Sequence, residues 1–100
     1  NLQRMAFARA VIYRPRLLIA SYPSRGLDIA TVHAVHQTLF RLKKQGVGTI
    51  LISEDISELF TMCDRILVLS SHTAFGPYCV DACTPNEIGK IMLQGENAHE

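Results

Sequence analysis

Three strand-like segments of this sequence end in residues that could do chemistry: Ser21-Tyr22-Pro23, Ser53-Glu54-Asp55 and Ser70-Ser71-His72. In open α/β sheets, ligands bind beyond the C-terminal ends of parallel strands. The hydroxyls and carboxylates of the first two sets are therefore the expected place for a site. A second set is thiol-based: Cys63, Cys79 and Cys83. Cys79-x3-Cys83 could hold a metal together with His72, but structural zinc takes four ligands and no fourth sits nearby. An odd number of cysteines argues against a disulfide framework, so these read as reduced thiols of a cytosolic protein. His33 and His36 lie three apart on a predicted helix and read as part of its solvated face. No metal site is expected. The phosphate-cradling pattern G-x-x-x-x-G-K-[ST] does not occur in the sequence.

The elements that must carry these groups follow from periodicity. Residues 2–13 read as a helix, with Asn1 as cap and Pro15 as stop. Residues 17–21 read as a strand apolar on both faces, as in the middle of a covered parallel sheet. Pro23 to Gly26 is turn chemistry. Ile29, Val32, Val35, Leu39 and Leu42 form one apolar stripe on a helix over 29–45. Asp28 can cap that helix, Lys43 and Lys44 suit its negative end, and Gly46 suits the left-handed residue after it. Residues 48–53 read as a second strand. Asp55 and Glu58 resemble a capping box for a short helix over 56–63. Residues 65–70 read as a third strand, and 71–83 as mixed, with a short strand near Pro77 to Val80. Thr84-Pro85-Asn86-Glu87 is a helix start, with the helix running to about Leu93, Gly95 ending it and 94–100 a frayed tail. Strands separated by helices predict parallel pairing with crossover helices.

Composition sets outer limits. Ten Lys+Arg against nine Asp+Glu leave a formal net charge of +1, too little for phosphate-driven nucleic-acid binding. A 48% apolar and 19% charged composition excludes a disordered chain. A chain of this size buries roughly 60–70% of its unfolded surface, enough for a core with little reserve. Apolar runs stop at four or five residues, whereas a membrane helix needs about 20, and no basic-then-apolar signal peptide is visible. The chain opens on Asn1 rather than Met, which reads as an excised or incomplete piece.

Taken in order, the segments resemble the C-terminal half of an ABC transporter ATPase domain. Asn1-Leu2-Gln3-Arg4-Met5-Ala6-Phe7-Ala8-Arg9-Ala10 resembles the helix after the family's L-S-G-G signature, usually near Q-Q-Q-R-V-A-I-A-R-A. Leu17-Leu18-Ile19-Ala20-Ser21-Tyr22-Pro23 stands where the Walker B strand L-L-L-A-D-E-P stands. Ser24-Arg25-Gly26-Leu27-Asp28 is similar to the D-loop T-S-G-L-D. Thr49-Ile50-Leu51-Ile52-Ser53-Glu54-Asp55 sits at T-V-L-L-V-T-H-D, which ends in the switch His. Asp64-Arg65-Ile66-Leu67-Val68-Leu69 resembles the strand that follows. Asn1, Arg25-Gly26-Leu27-Asp28, Ile52-Ser53-Glu54 and Glu87-Ile88-Gly89 narrow the resemblance to sugar and nucleoside importers, and within them to the second, degenerate domain of a fused pair. The expected fold is α/β: a partial P-loop NTPase with parallel strands and crossover helices, its N-terminal half with the phosphate loop absent. Residues 1–74 would be the C-terminal half of the ATPase domain, and 75–100 a C-terminal extension with one helix.

The resemblance also implies roles. The Walker B Asp helps hold Mg²⁺ and the next Glu polarises the attacking water; here these positions are Ser21 and Tyr22. A neutral hydroxyl is a poor ligand for a hard cation, and a phenol with a pKa near ~10 is a poor base. Glu54 in place of the switch His puts a carboxylate where a γ-phosphate charge would repel it by roughly 1–4 kcal/mol at ~4 Å. No catalytic residue is intact, and the fragment alone is expected to be inactive. It would instead complete the ATP site of a second ABC ATPase domain, with Asn1 and Gln3 beside the nucleotide and Arg25, Gly26 and Asp28 in the D-loop. The N-terminus of helix 2–13 suits a γ-phosphate, whereas Arg4 and Arg9 read as a solvated face. Asp28 is also a helix cap, and the two roles are compatible. ATP and Mg²⁺ would act mainly at the partner site. The implied partners are permease subunits and, indirectly, an extracytoplasmic substrate-binding protein, at the cytoplasmic face of the membrane. The alternative is a non-catalytic scaffold for dimerisation or permease docking.

Overall fold

The computed structural model describes residues 15–97, with side chains described to residue 94. The helix expected over 2–13 lies outside the described residues, as do Asn1, Gln3, Arg4 and Arg9. The chain divides into two compact units, Asn1–Glu54 and Asp55–Glu100.

In the first unit, β1 (Leu17–Ser21) and β2 (Gly48–Ile52) pair in parallel, and α1 (Ile29–Lys44) connects them. Both helix ends are closed by local chemistry. Asp28 is extended (φ −75°, ψ 168°) and its Oδ1 accepts the Thr31 N–H at 2.7 Å, filling one of the donors that a helix start leaves unpaired. At the other end the Val47 N–H reaches the Leu42 carbonyl and the Gly46 N–H that of Lys43, both at 3.0 Å. This is a Schellman closure, and it needs a left-handed residue, which Gly46 supplies at φ 90° without a Cβ penalty. The side chains of the closing pair, Leu42 and Val47, form a buried cluster with Leu18 of β1 packed on it. The next residue starts the ladder, the Gly48 N–H donating to the Arg16 carbonyl at 3.0 Å.

The opposite face of this sheet differs from the sequence expectation. Leu17, Ile19, Ile50 and Ile52 are exposed, so β1 is not covered on both faces. The register sets Ile19 beside Ile50 and Ser21 beside Ile52, which makes these four side chains one continuous apolar face. The sequence pattern of a buried parallel strand is present, and within this unit one face of it is left open.

In the second unit, α2 (Ile56–Met62) is capped by Asp55, whose Oδ1 accepts the Glu58 N–H at 3.2 Å. Strand β3 (Arg65–Ser70) pairs with β4 (Thr73–Cys79), and the pairing is antiparallel. Where residues 71–83 read as mixed, the structure has a hairpin arm: the chain turns back at Ser71-His72 with no helix between the two strands, which makes the pair antiparallel. Both turn residues have positive φ, 53° and 64°, the two-residue geometry whose twist matches that of a hairpin. Ser70-Ser71-His72 is thus a hairpin tip, not a ligand-binding strand end, and β4 replaces the short strand expected near residues 77–80. A one-turn 3-10 helix (Val80–Ala82) leads to α3 (Pro85–Asn97). Thr84 caps α3: its Oγ accepts the Glu87 N–H at 3.2 Å and its hydroxyl donates to Glu87 Oε1 at 3.1 Å. The helix continues through Gly95, correcting the expected stop, because glycine inside a helix costs only about 1 kcal/mol and no proline follows. α3 packs against α2 and β3, with Leu59, Met62, Ile66, Val68 and Ile88 buried. Among the described residues no helix is long and apolar enough to cross a membrane.

The exposed apolar face should make the 100-residue chain bind apolar dyes. Replacing Ile19 and Ile50 together by Thr should lower 8-anilinonaphthalene-1-sulfonate fluorescence of the isolated chain and raise its solubility. Unchanged fluorescence would show that the dye binds elsewhere. In contrast, Leu42→Ala should destabilise the first unit by about 2–5 kcal/mol in urea unfolding, since its side chain is fully buried.

Candidate functional site

The β1–β2 register brings two loops together at the C-terminal ends of the strands. The ladder runs one residue past β1, where the Tyr22 N–H donates to the Ile52 carbonyl at 2.7 Å. Tyr22 itself adopts φ 49°, a left-handed conformation uncommon for a bulky side chain. The chain then coils into consecutive turns, Arg25 N–H to Tyr22 carbonyl at 3.2 Å and Leu27 N–H to Ser24 carbonyl at 3.3 Å. Pro23 is fully buried beneath them. Gly26, at φ 73°, supplies the second left-handed position before Asp28 opens α1.

This path returns Arg25 over Tyr22. The guanidinium carbon lies 3.9 Å from the ring centroid, within the range of a cation–π contact. Its Nη2 lies 3.9 Å from Oε2 of Glu54, in the loop after β2. The two charged side chains are 63% and 77% exposed, so water screens the pair and its net contribution is at most about 1 kcal/mol. Ser21 is exposed, Tyr22 half-buried, and Gly26 and Asp28 exposed. Of the residues singled out from the sequence, Ser21, Tyr22, Arg25, Gly26, Asp28 and Glu54 share this region of the first unit.

The chemistry available is limited and specific. Ser21 and Tyr22 offer hydroxyls, the Glu54 carboxylate faces the Arg25 guanidinium, and the Asp28 carboxylate is engaged by the Thr31 N–H at the start of α1. This donor set does not fit a divalent cation, which takes charged oxygens. The Glu54 charge is also compensated, so the repulsion expected of a bare carboxylate toward phosphate is weakened by Arg25. Sequence reasoning named all three residues separately and missed that they touch. The only available signal was the spacing of Tyr22 and Arg25 across one turn.

The other candidate groups are dispersed. His72 sits at the hairpin tip and Cys79 at the far end of seven-residue β4, on the order of 20 Å away at strand rise. Among the described residues no group of three His, Cys, Asp or Glu is placed to hold a metal ion. His33 is exposed and His36 half-buried on α1. Burial pushes the Cys83 thiol up, with Glu87 and Cys79 adding in the same sense.

The parallel strands and their crossover helix define a piece of an α/β module. No family model matches the chain. It is similar to the ribose import ATP-binding protein of Caldanaerobacter subterraneus subsp. tengcongensis, 30% identical over 96 residues, and to the glucose import ATP-binding protein of Haloferax volcanii, 36% over 98. It is also similar to the nucleoside import ATP-binding protein of Lactococcus lactis subsp. cremoris, 32% identical over 95 residues. These alignments cover 96%, 98% and 95% of this chain but 19%, 18% and 19% of the relatives, so the chain spans about a fifth of their length. Over nearly its whole length the chain is similar to a segment of sugar and nucleoside import ATP-binding proteins, and it is a fragment of an ABC ATPase domain.

Two outcomes follow from this geometry. Gly26→Ala should lower stability by about 1–2 kcal/mol in urea unfolding through its left-handed backbone alone, and Gly26→Asn by less. At pH 8, iodoacetamide should alkylate exposed Cys79 before Cys83, read by peptide mass spectrometry. Since folding raises the Cys83 pKa, its contribution to stability is complete below the ordinary thiol pKa of about 8.5 and declines as pH rises through the folded value.

Proposed function

We propose that this segment works in the ATP-binding, energy-coupling subunit of an ABC importer for simple sugars or nucleosides. Its own site does not hydrolyse ATP. It supplies the helix over 2–13 and the D-loop turn to the ATP site of a second ATPase domain, with Asn1, Gln3, Arg25, Gly26 and Asp28 as the contributing residues. Asn1 and Gln3 enter by resemblance alone. The subunit acts at the cytoplasmic face of the membrane, docked to permease subunits that an extracytoplasmic substrate-binding protein serves.

One observation carries this reading. The turn that resembles the D-loop is fully built, with two chain reversals and an Asp28-capped helix, although Ser21 and Tyr22 cannot do the chemistry of the acids they replace. A loop kept in order beside a disabled site fits a part used by another domain. ATP supplies phosphoryl-transfer energy when bound at that partner site. In this segment Ser21 and Tyr22 do not fit Mg²⁺, and no step is assigned to the ion here. What the residues do is structural: Asp28 orders the start of α1, and Arg25 holds the turn.

The test is Asp28 in the intact subunit. Asp28→Ala should lower ATP turnover by the partner domain and lower stability by about 1 kcal/mol through the lost cap. Asp28→Asn keeps a capping oxygen and should restore stability but not turnover, read by phosphate release beside thermal melts. If both variants turn over ATP normally while folded, Asp28 is a cap only and the segment is a scaffold. Tyr22→Glu alone should leave this segment's own site inactive, because Ser21 still lacks charge and Glu54 still stands at the switch position; groups that act as a unit are not restored singly.

A further inference from the structure

Two positions that differ from the general ABC ATPase pattern, Tyr22 and Glu54, meet on one side chain. Arg25 stacks on the Tyr22 ring at 3.9 Å and faces the Glu54 carboxylate at 3.9 Å. The family residues described above, an acid at position 22 and a His at 54, would present Arg25 with neither the same aromatic face nor the same carboxylate. We infer that Tyr22, Arg25 and Glu54 form a clamp, with Arg25 as the positioning residue, that fastens the turn over 22–28 to the loop after β2.

The physical argument has three parts. First, Tyr22 is strained: a bulky residue at φ 49° persists only where its surroundings hold it. Its N–H is fixed on the Ile52 carbonyl, its carbonyl on the Arg25 N–H, and its ring lies under the Arg25 guanidinium. Second, a planar guanidinium can stack and pair at the same time, which an ammonium cannot do equally well. Third, the contacts join segments about thirty residues apart in sequence, at the ends of two adjacent strands, and so restrict their relative movement. All three side chains of the clamp belong to this unit. The effect of the clamp is that the turn stays ordered whether or not a ligand is nearby. It rests on the geometry and not on the trans role proposed above, so backbone order tests it and turnover does not.

Hydrogen exchange in the intact protein reads it directly, with the Arg25 and Leu27 amides as reporters of the two turns. Tyr22→Ala and Glu54→Gln should each accelerate their exchange about two- to fivefold, the range set by exposed cation–π and ion-pair contacts. Arg25→Ala should match the Tyr22→Ala/Glu54→Gln double variant, because both remove the same two contacts. Tyr22→Phe should exchange as wild type, since the ring and not the hydroxyl carries the stack. Arg25→Lys should fall between wild type and Arg25→Ala. Raising NaCl from about 0.1 to 1 M, which shortens the Debye length from ~10 to ~3 Å, should remove the Glu54 contribution only. Exchange at the Leu39 and Leu42 amides of α1 should stay constant and shows that each variant is folded. The clamp is overturned if Arg25→Ala leaves the turn amides unchanged, or if Tyr22→Phe exchanges as fast as Tyr22→Ala.

Discussion

Parallel pairing of β1 and β2 is the constraint on which the first unit rests. A parallel partner cannot be reached by a tight turn, so the chain must leave the end of β1, travel back, and re-enter beside its start. α1 does this, and its two ends set where the strands meet. At the Gly46 end, the Schellman closure delivers Val47 into the core and Gly48 onto the Arg16 carbonyl, which fixes the first rung. One rung of slip would move Ile50 and Ile52 to the other face and set Ser21 against a different residue. The register at one end of the sheet thereby determines which side chains meet at the other.

That transfer explains why the site was only half legible in the sequence. The turn over 23–26, the Asp28 cap and the Glu54 loop each carry local signals, and each forms where those signals put it. Their meeting is not local. Arg25 reaches Glu54 because Ser21 and Ile52 are register partners and Tyr22 extends the ladder by one bond. No periodicity or turn rule encodes that distance. The left-handed Tyr22 is hidden for the same reason, since tyrosine has no preference for such a backbone and tertiary contacts impose it.

The hairpin shows the opposite failure. β3 was legible to the residue, yet its partner was not, because the residues that make the turn carry no turn signature. Ser71 and His72 adopt the positive φ pair that Asn-Gly usually announces. Further along, Gly76-Pro77 lies inside β4. It falls where the register shifts between Ile66 and Val68, so the strand absorbs it as an irregularity instead of ending there. The helix that overran Gly95 has a similar cause: a weak stop signal loses to the continuing backbone ladder.

The two apolar patterns of the sequence end differently, and the difference bears on function. In β3, alternate residues Ile66 and Val68 are buried within their unit, whereas Leu67 and Leu69 are exposed. In the first sheet, Leu18 of β1 packs on Leu42 of α1 and on Val47, and Leu17, Ile19, Ile50 and Ile52 form an exposed apolar face. A strand apolar on both sides is an expensive thing to leave half in water: each side chain of that size contributes about 1.5–3 kcal/mol when buried and nothing when exposed. The relatives are about five times longer than this chain, and a strand of this pattern is suited to a sheet covered on both sides. The polar cluster of Tyr22, Arg25 and Glu54 sits at the rim of that same two-stranded sheet, where the apolar faces end and water begins. There a guanidinium can be stacked, paired and solvated at once, without the desolvation cost that would make the same three residues unfavourable a few ångströms deeper.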